Sequence, residues 1–163
     1  MIHTGEIERL KVGYYISAES LTDVSDTEIA AALVPFGAVC LWSAAQFYGL
    51  TTINPLAVTI AIPANRTRVA LPKHPPIELV AYPLSTFELG ITSVKEGQTA
   101  FRIYDRERTV CDFFRKRGRL GEDVALDVLR EYMRGARNLQ RLFDYAGKLH
   151  INAVIRPYVE ALA

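Results

Sequence analysis

Two acidic residues, Asp105 and Glu107, are separated by one residue and follow a strand-like run, a spacing that could hold a catalytic metal ion. A nucleotidyltransferase also needs a Gly-Ser pair ahead of such carboxylates, and none precedes them here. The Glu-x-Lys of a restriction-type nuclease does not occur either. Asp105 fits the N-cap of a helix better. We therefore predict no catalytic residue, and a metal-dependent nuclease or nucleotidyltransferase is the weakest alternative.

Other familiar sites are missing from the sequence. His3, His74 and His150 stand apart from one another, with no second ligand at metal-binding spacing. Neither a P-loop nor a dinucleotide-binding glycine motif is present. Cys40 and Cys111 lie in apolar surroundings, so we expect buried, reduced thiols. The sequence predicts no metal and no cofactor.

The strongest chemical signal is a cluster of basic residues in the last third of the chain. A helix beginning near residue 106 would turn its apolar residues inward and its arginines toward another face. One interpretation is a solvated face with surface ion pairs. The other is an electropositive surface for RNA, DNA or an acidic protein face. The predicted contact residues are Arg108, Arg115, Lys116, Arg117, Arg119, Arg130 and Arg134.

The distribution of charge along the 163 residues agrees with this signal. The formal net charge is +1, but it is −4 over residues 1–35 and +4 over residues 102–163. Half of the residues are apolar, which is enough to bury a core and excludes a disordered chain. The longest apolar stretch, residues 29–42, is too short to span a bilayer, and the acidic start is unlike an export signal. We expect a cytoplasmic protein with no membrane partner.

Hydrophobic periodicity predicts an α+β fold, with a small mixed, mainly antiparallel sheet flanked by helices and a helical C-terminal tail. Antiparallel pairing is expected because no connection between the strands is long enough for a crossover helix. Four or five strands are predicted between residues 56 and 104, including one at 68–71.

Local signals place the other elements. Residues 6–16 predict a hairpin or strand with a bend at Gly13. Ser25 and Glu28 match a capping box, and Gly49 would end a helix over residues 38–48. A further helix is predicted to begin at Asp105 and to end at Gly118. Three more are predicted near residues 122–134, 138–147 and 152–162, the last bent or restarted at Pro157.

Three segments carry motifs in an informative order. Residues 5–15 contain Gly-x-Ile-Glu-Arg-Leu-x-x-Gly-Tyr-Tyr, residues 43–51 read Ser-Ala-Ala-Gln-Phe-Tyr-Gly-Leu-Thr, and residues 104–112 read Tyr-Asp-Arg-Glu-Arg-Thr-Val-Cys-Asp. Together they resemble the AbiEi-like family of bacterial abortive-infection antitoxins, predicted transcriptional regulators of type IV toxin–antitoxin pairs that act in phage defence. The residues that match the signature are Ser43, Gly49, Glu107, Arg108, Thr109 and Asp112.

The resemblance implies a non-enzymatic protein of two parts. Its N-terminal winged helix would bind DNA, and its C-terminal domain would counteract a nucleotidyltransferase-type toxin without requiring a stable complex. By this comparison, residues 1–16 are the remnant of a wing, with Arg9 and Lys11 as phosphate contacts, and residues 17–163 are the antitoxin domain. The helix-turn-helix that should precede the wing is missing, so operator binding by this chain alone is doubtful. A DNA-binding regulator without a toxin partner is the alternative.

The signature residues also have a physical interpretation that is independent of the family. Glu107 suits the start of a helix, Arg108 and Asp112 can pair one turn apart, and Thr109 can bond the backbone. We expect these four residues to hold the fold more than to contact a partner.

Overall fold

The computed structural model describes residues 7–11, 14–17, 24–97 and 99–163, the first two segments by their backbone alone. The strands are β1 (Ile7–Lys11), β2 (Tyr14–Ser17), β3 (Ala38–Val39), β4 (Val58–Pro63), β5 (Ile77–Tyr82), β6 (Ile91–Glu96) and β7 (Thr99–Tyr104). The helices are α1 (Asp26–Leu33), α2 (Leu41–Phe47), α3 (Arg106–Arg115), α4 (Arg117–Leu120), α5 (Glu122–Arg134), α6 (Leu139–Lys148) and α7 (Asn152–Leu162). The α+β class and the helical C-terminal tail are as predicted.

The main sheet has five strands in the order β5-β4-β3-β7-β6. β4 is antiparallel to β3, and β6 is antiparallel to β7, whereas β5 is parallel to β4 and β3 is parallel to β7. The sheet is mixed, as predicted, with more parallel pairing than expected. Residues 64–76 return the chain from the end of β4 to the start of β5 without a helix, so a short connection did not impose antiparallel pairing here.

The sheet is covered on both faces. Alternate strand residues point to opposite faces, and Val39, Ile60 and Ile103 pack with α1 in one buried cluster. Ala38, Ala61 and Tyr104 belong to a larger cluster that also contains buried residues of α2, α3, α5, α6 and α7. The fold is therefore a three-layer arrangement in which α3 lies among the helices of the larger layer.

Local capping signals fix the starts of α1 and α3. The Ser25 hydroxyl accepts a hydrogen bond from the Glu28 amide at 3.1 Å, and the Glu28 carboxylate accepts one from the Ser25 amide at 3.3 Å, which confirms the capping box. Asp105 caps α3, since its carboxylate accepts from the Arg108 amide at 2.8 Å. Both starts could be predicted because each requires only neighbouring residues.

Two strand assignments and one helix start are wrong. Residues 38–39 form β3 rather than the first turn of a helix, and α2 begins at Leu41, which has a φ of +45°. The run at 68–71 is irregular, whereas the unpredicted β6 (Ile91–Glu96) pairs along its whole length with β7. The partners of β3, which are β4 and β7, lie far away in the sequence, where local patterns carry no information. By contrast, only residues 97 and 98 separate β6 from β7, so a local hairpin was overlooked there.

Two helix ends also differ from the prediction. α3 ends at Arg115, before the expected Gly118, and the short α4 follows it directly. α7 runs through Pro157 as one helix.

The N-terminal hairpin is described only by its backbone. β1 and β2 pair antiparallel, with Arg9 opposite Tyr15 and Lys11 opposite Tyr14, and the register shifts between these two pairs. The predicted bend at Gly13 and the side chains of Arg9 and Lys11 lie outside the described residues. Within the described part of the chain, no helix has the length and apolar character to cross a bilayer.

Candidate functional site

The signature arginine of α3 lies in the protein interior. Arg108 has an exposed fraction of 0 %. Its Nε donates to both carboxylate oxygens of Asp112, at 2.9 and 3.1 Å. This confirms the predicted pairing across one helical turn. It also overturns the prediction of Arg108 as a partner contact, because a fully buried guanidinium offers no surface to nucleic acid.

Further contacts tie the Arg108 guanidinium to the segment between β5 and β6. Its Nη1 donates to the carbonyl oxygens of Thr86 and Leu89, at 2.6 and 2.7 Å. The guanidinium carbon lies 4.6 Å from the ring centre of Tyr104 and 5.2 Å from that of Tyr82. Burial of a charge is costly unless it is paired and hydrogen-bonded. These contacts meet that requirement for Nε and Nη1, whereas Nη2 is buried without a hydrogen-bond partner among the described residues. Together they join the α3 helix to the sheet.

The neighbours of this pair are also buried. Burial raises the pKa of Asp112, and the Arg108 guanidinium opposes this shift. Burial likewise raises the pKa of the Cys40 and Cys111 thiols well above their ordinary value, so both stay protonated at neutral pH. Both thiols are free, as predicted. The interior of the motif is consequently a buried polar core in which neither thiol is ionised at neutral pH.

The second signature segment joins α2 to β4. Ser43 is buried and exchanges two hydrogen bonds with Thr59: its amide donates to the Thr59 hydroxyl at 3.1 Å, and its own hydroxyl accepts from the Thr59 amide at 2.9 Å. Gly49 ends the helical segment at a φ of +72°, the left-handed conformation predicted for it. Both signature residues therefore have structural roles in this part of the fold.

The two signature segments meet at one surface cleft. The Arg106 guanidinium donates to the carbonyl oxygen of Tyr48 at 3.1 Å and to that of Ala136 at 3.1 Å, which links α2, α3 and the end of α5. The cleft beside this link has a volume of about 540 Å³. Its polar lining includes Tyr48, Asp105, Arg106, Glu107, Arg141 and Tyr145.

The carboxylates of this cleft are occupied by internal partners. Asp105 accepts from the Arg108 amide and, at 2.7 Å, from the Tyr145 hydroxyl. Glu107 accepts from the Tyr132 hydroxyl at 2.6 Å and lies 3.5 Å from the Arg141 guanidinium. Burial raises the pKa of Asp105. No group of three or more candidate metal ligands occurs among the residues that the structure describes.

Four of the predicted contact cations pair with carboxylates of the chain. Arg115 lies 3.5 Å from Asp112, and Arg119 lies 3.0 Å from Glu78 on β5. Arg130 and Arg134 pair with acidic residues three positions earlier on α5, Asp127 and Glu131. The exposed pairs of Arg119, Arg130 and Arg134 contribute little to stability, but they lower the local positive charge.

The last two predicted cations are half-buried and lie against the protein. Lys116 has its ammonium 5.5 Å from the ring centre of Tyr82. Arg117 donates to the carbonyl oxygen of Phe114 at 2.8 Å. The helical tail is thus less electropositive at its surface than its sequence suggests.

A different basic segment was missed by the sequence analysis. The connection between β4 and β5, residues 64–76, contains Arg66, Arg68, Lys73 and His74, all exposed, and no acidic residue. Across residues 24–97 and 99–163, none of these four side chains has a carboxylate within ion-pair distance. The absence of Asp and Glu from this stretch was visible in the sequence, but proline-rich residues between strands carry no periodic signal.

Comparison with models of known protein families and with curated proteins gives no match for this chain. Function must therefore be argued from the arrangement of the motifs and charges described above.

Proposed function

We propose that the chain is a non-catalytic antitoxin or regulatory domain that counteracts a nucleotidyltransferase-type toxin of a type IV toxin–antitoxin pair. The order of the three motifs supports the family, and the structure supports a non-catalytic role. The observation that carries this role is that the carboxylates of Asp105 and Glu107 are already bound by other side chains of the protein. Each of these carboxylates accepts a hydrogen bond from a tyrosine hydroxyl, and each has Arg141 at 4.0 Å or less.

A catalytic carboxylate pair that holds metal ions needs oxygens free to coordinate them. Here one oxygen of Asp105 caps α3 and the other accepts from Tyr145. Removing either bond would cost stability, because α3 carries the buried Arg108–Asp112 pair. The acidic residues of the motif are therefore better explained as supports of the fold.

The alternative of a DNA-binding regulator without a toxin partner has less support. Its predicted interface was the basic face of the helices. Of these cations, Arg108 is buried, and Lys116 and Arg117 are half-buried. The other four have carboxylate partners: Arg115, Arg119, Arg130 and Arg134. Affinity for duplex DNA comes largely from many neutralised phosphates. We expect the wild type to have no strong, salt-dependent affinity for DNA. Changing Arg115, Lys116, Arg117 and Arg119 to Glu should therefore lower DNA affinity little.

The proposal is tested by co-expressing the protein with the nucleotidyltransferase-type toxin that the proposal expects beside its gene, and measuring growth. Rescue of growth by the wild type is expected. Glu107→Gln keeps an acceptor for Tyr132 and should rescue equally well. Incubation of the purified protein with Mg²⁺, labelled nucleotides and RNA should give no transfer. Failure of the soluble wild type to rescue contradicts the antitoxin role, and transfer that is lost in Glu107→Gln contradicts the non-catalytic one.

A further inference from the structure

The connection between β4 and β5 differs from every other basic part of the described chain in having no acidic residue of its own. Arg66, Arg68 and Lys73 give it three positive charges, and His74 adds a fourth group that can be protonated. Among the described residues, the nearest acidic residue along the chain is Glu78, which already pairs with Arg119 at 3.0 Å. Within the described residues, the positive charge of the connection is therefore left uncompensated.

The connection is held in place by the fold. The Ala64 amide donates to the Tyr82 carbonyl, and the Val58 amide donates to the Pro76 carbonyl, both at 2.9 Å, which fixes its two ends to β5 and β4. Between these ends, the half-buried Val69 packs against the smaller core cluster. A segment anchored at three points loses little conformational freedom when it binds a partner.

One cation of the connection is also pre-positioned. The guanidinium carbon of Arg66 lies 3.8 Å from the ring centre of Phe36, in a stacked contact that leaves Arg66 exposed. A guanidinium held by its flat face keeps its N–H groups free to pair with a carboxylate. Arg66 is thus oriented for binding before any partner arrives.

The connection also contains an exposed apolar side chain. Leu71 lies between Arg68 and Lys73 and is 37 % exposed. Pro72, Pro75 and Pro76 follow it and restrict the backbone. Protein interfaces combine arginine with apolar contacts and preformed backbone. Nucleic-acid interfaces instead depend on many phosphate contacts, about 6–10 in a typical case, which three cations do not provide.

We propose that the β4–β5 connection is a docking surface for an acidic protein segment that also presents apolar side chains. Carboxylates of the partner would pair with Arg66, Arg68 and Lys73, and an apolar partner residue would cover Leu71. If the proposed function holds, the partner is the toxin or another component of the same system. The surface itself follows from the charges and the anchoring of the connection, independently of that function.

The test measures binding of a fluorescent synthetic peptide of alternating glutamate and leucine residues to the full chain, by fluorescence anisotropy. Changing Arg66, Arg68 and Lys73 together to Glu should weaken binding by about tenfold or more, since three ion pairs are lost. Leu71→Ser should weaken it by about threefold. As a control of identical charge change, Arg130, Arg134 and Arg156 are changed to Glu, and peptide affinity should stay within about twofold because these exposed cations lie outside the connection.

Two further arms make the result decisive. A DNA oligonucleotide of the same charge as the peptide should bind more weakly than the peptide at about 200 mM salt. Tighter DNA binding that the connection variant abolishes would overturn the choice of a protein partner. Absence of peptide binding, or equal loss in the two triple variants, would overturn the docking surface. Neither outcome alters growth rescue by the wild type and Glu107→Gln, so the two proposals fail separately.

Discussion

Arginines serve opposite purposes in α3 and in the β4–β5 connection. Arg108 is buried against Asp112 and two backbone carbonyls, whereas Arg66 and Arg68 are exposed, with no carboxylate partner in the described part of the chain. In the sequence, the arginines near residue 108 form the denser cluster and attract the first functional hypothesis. The number of nearby cations therefore does not predict which of them is available to a partner. The carboxylates and carbonyls around each cation decide that.

The buried pair provides the largest test of this contrast. Asp112→Ala leaves the Arg108 guanidinium buried without its counter-ion, and we expect the free energy of unfolding to fall by about 3–5 kcal/mol. The matched exposed control is Asp127→Ala, which removes the partner of Arg130 and should cost less than about 1 kcal/mol. Urea denaturation followed by circular dichroism measures both.

Equal losses in these two variants would remove the distinction between a buried and an exposed pair. The double variant Arg108→Met/Asp112→Leu sharpens the same point. It removes both charges together, so we expect it to be clearly more stable than Asp112→Ala. A double variant no more stable than Asp112→Ala would mean that packing, rather than charge, dominates at this position.

A smaller effect is expected from the close approach of Gly90 to Arg108. Gly90 has a φ of +85°, and a Cβ added there would lie 2.7 Å from the Arg108 Cβ, inside the buried network. We expect Gly90→Ala to lower the free energy of unfolding by about 2–3 kcal/mol. Gly49→Ala is the control, because its φ is +72° and no atom lies within 4 Å of the added Cβ.

Gly49→Ala should show only the backbone penalty of about 1–2 kcal/mol. Thermal or urea unfolding of the two variants separates steric crowding from backbone strain. If Gly90→Ala lowers the free energy of unfolding no more than Gly49→Ala does, the segment before β6 can move away from Arg108. The network would then be less rigid than described.

The smallest effect on stability is expected in the connection. Arg68→Gln and Lys73→Gln each remove a charge without a carboxylate partner in the described structure, so each should change the free energy of unfolding by no more than about 0.5 kcal/mol. Arg66→Gln also removes the contact with Phe36 and should cost no more than about 1 kcal/mol. Differential scanning calorimetry under identical salt conditions would detect a larger change. A loss above about 1 kcal/mol for Arg68→Gln or Lys73→Gln would give these residues a structural role and weaken the contrast with α3.

Local signals in the sequence predicted the parts of the fold that depend on neighbours. The caps at Ser25 and Asp105, the left-handed Gly49 and the pairing of Arg108 with Asp112 all need residues within one or two helical turns. The helical tail followed from amphipathic periodicity in the same way.

The parts that could not be predicted depend on distant residues. Arg108 shares helical spacing with Arg115 and Arg119, and it is buried because the carbonyls of Thr86 and Leu89 and the ring of Tyr104 surround it. The parallel pairing of β4 with β5 likewise depends on the path of residues 64–76. That same path exposes the basic connection, so the sequence shows its lack of acidic residues but not its exposure.

The central claim is that the buried Arg108–Asp112 pair holds the fold and that the β4–β5 connection contacts a partner. Growth rescue by two folded variants, matched in soluble amount, tests this claim most directly. One is Arg108→Met/Asp112→Leu, which removes the buried pair, and the other changes Arg66, Arg68 and Lys73 together to Glu. We predict that the first rescues cells expressing the nucleotidyltransferase-type toxin as well as the wild type does, and that the second does not. Full rescue by the connection variant, or failure of the folded α3 variant, would contradict the account.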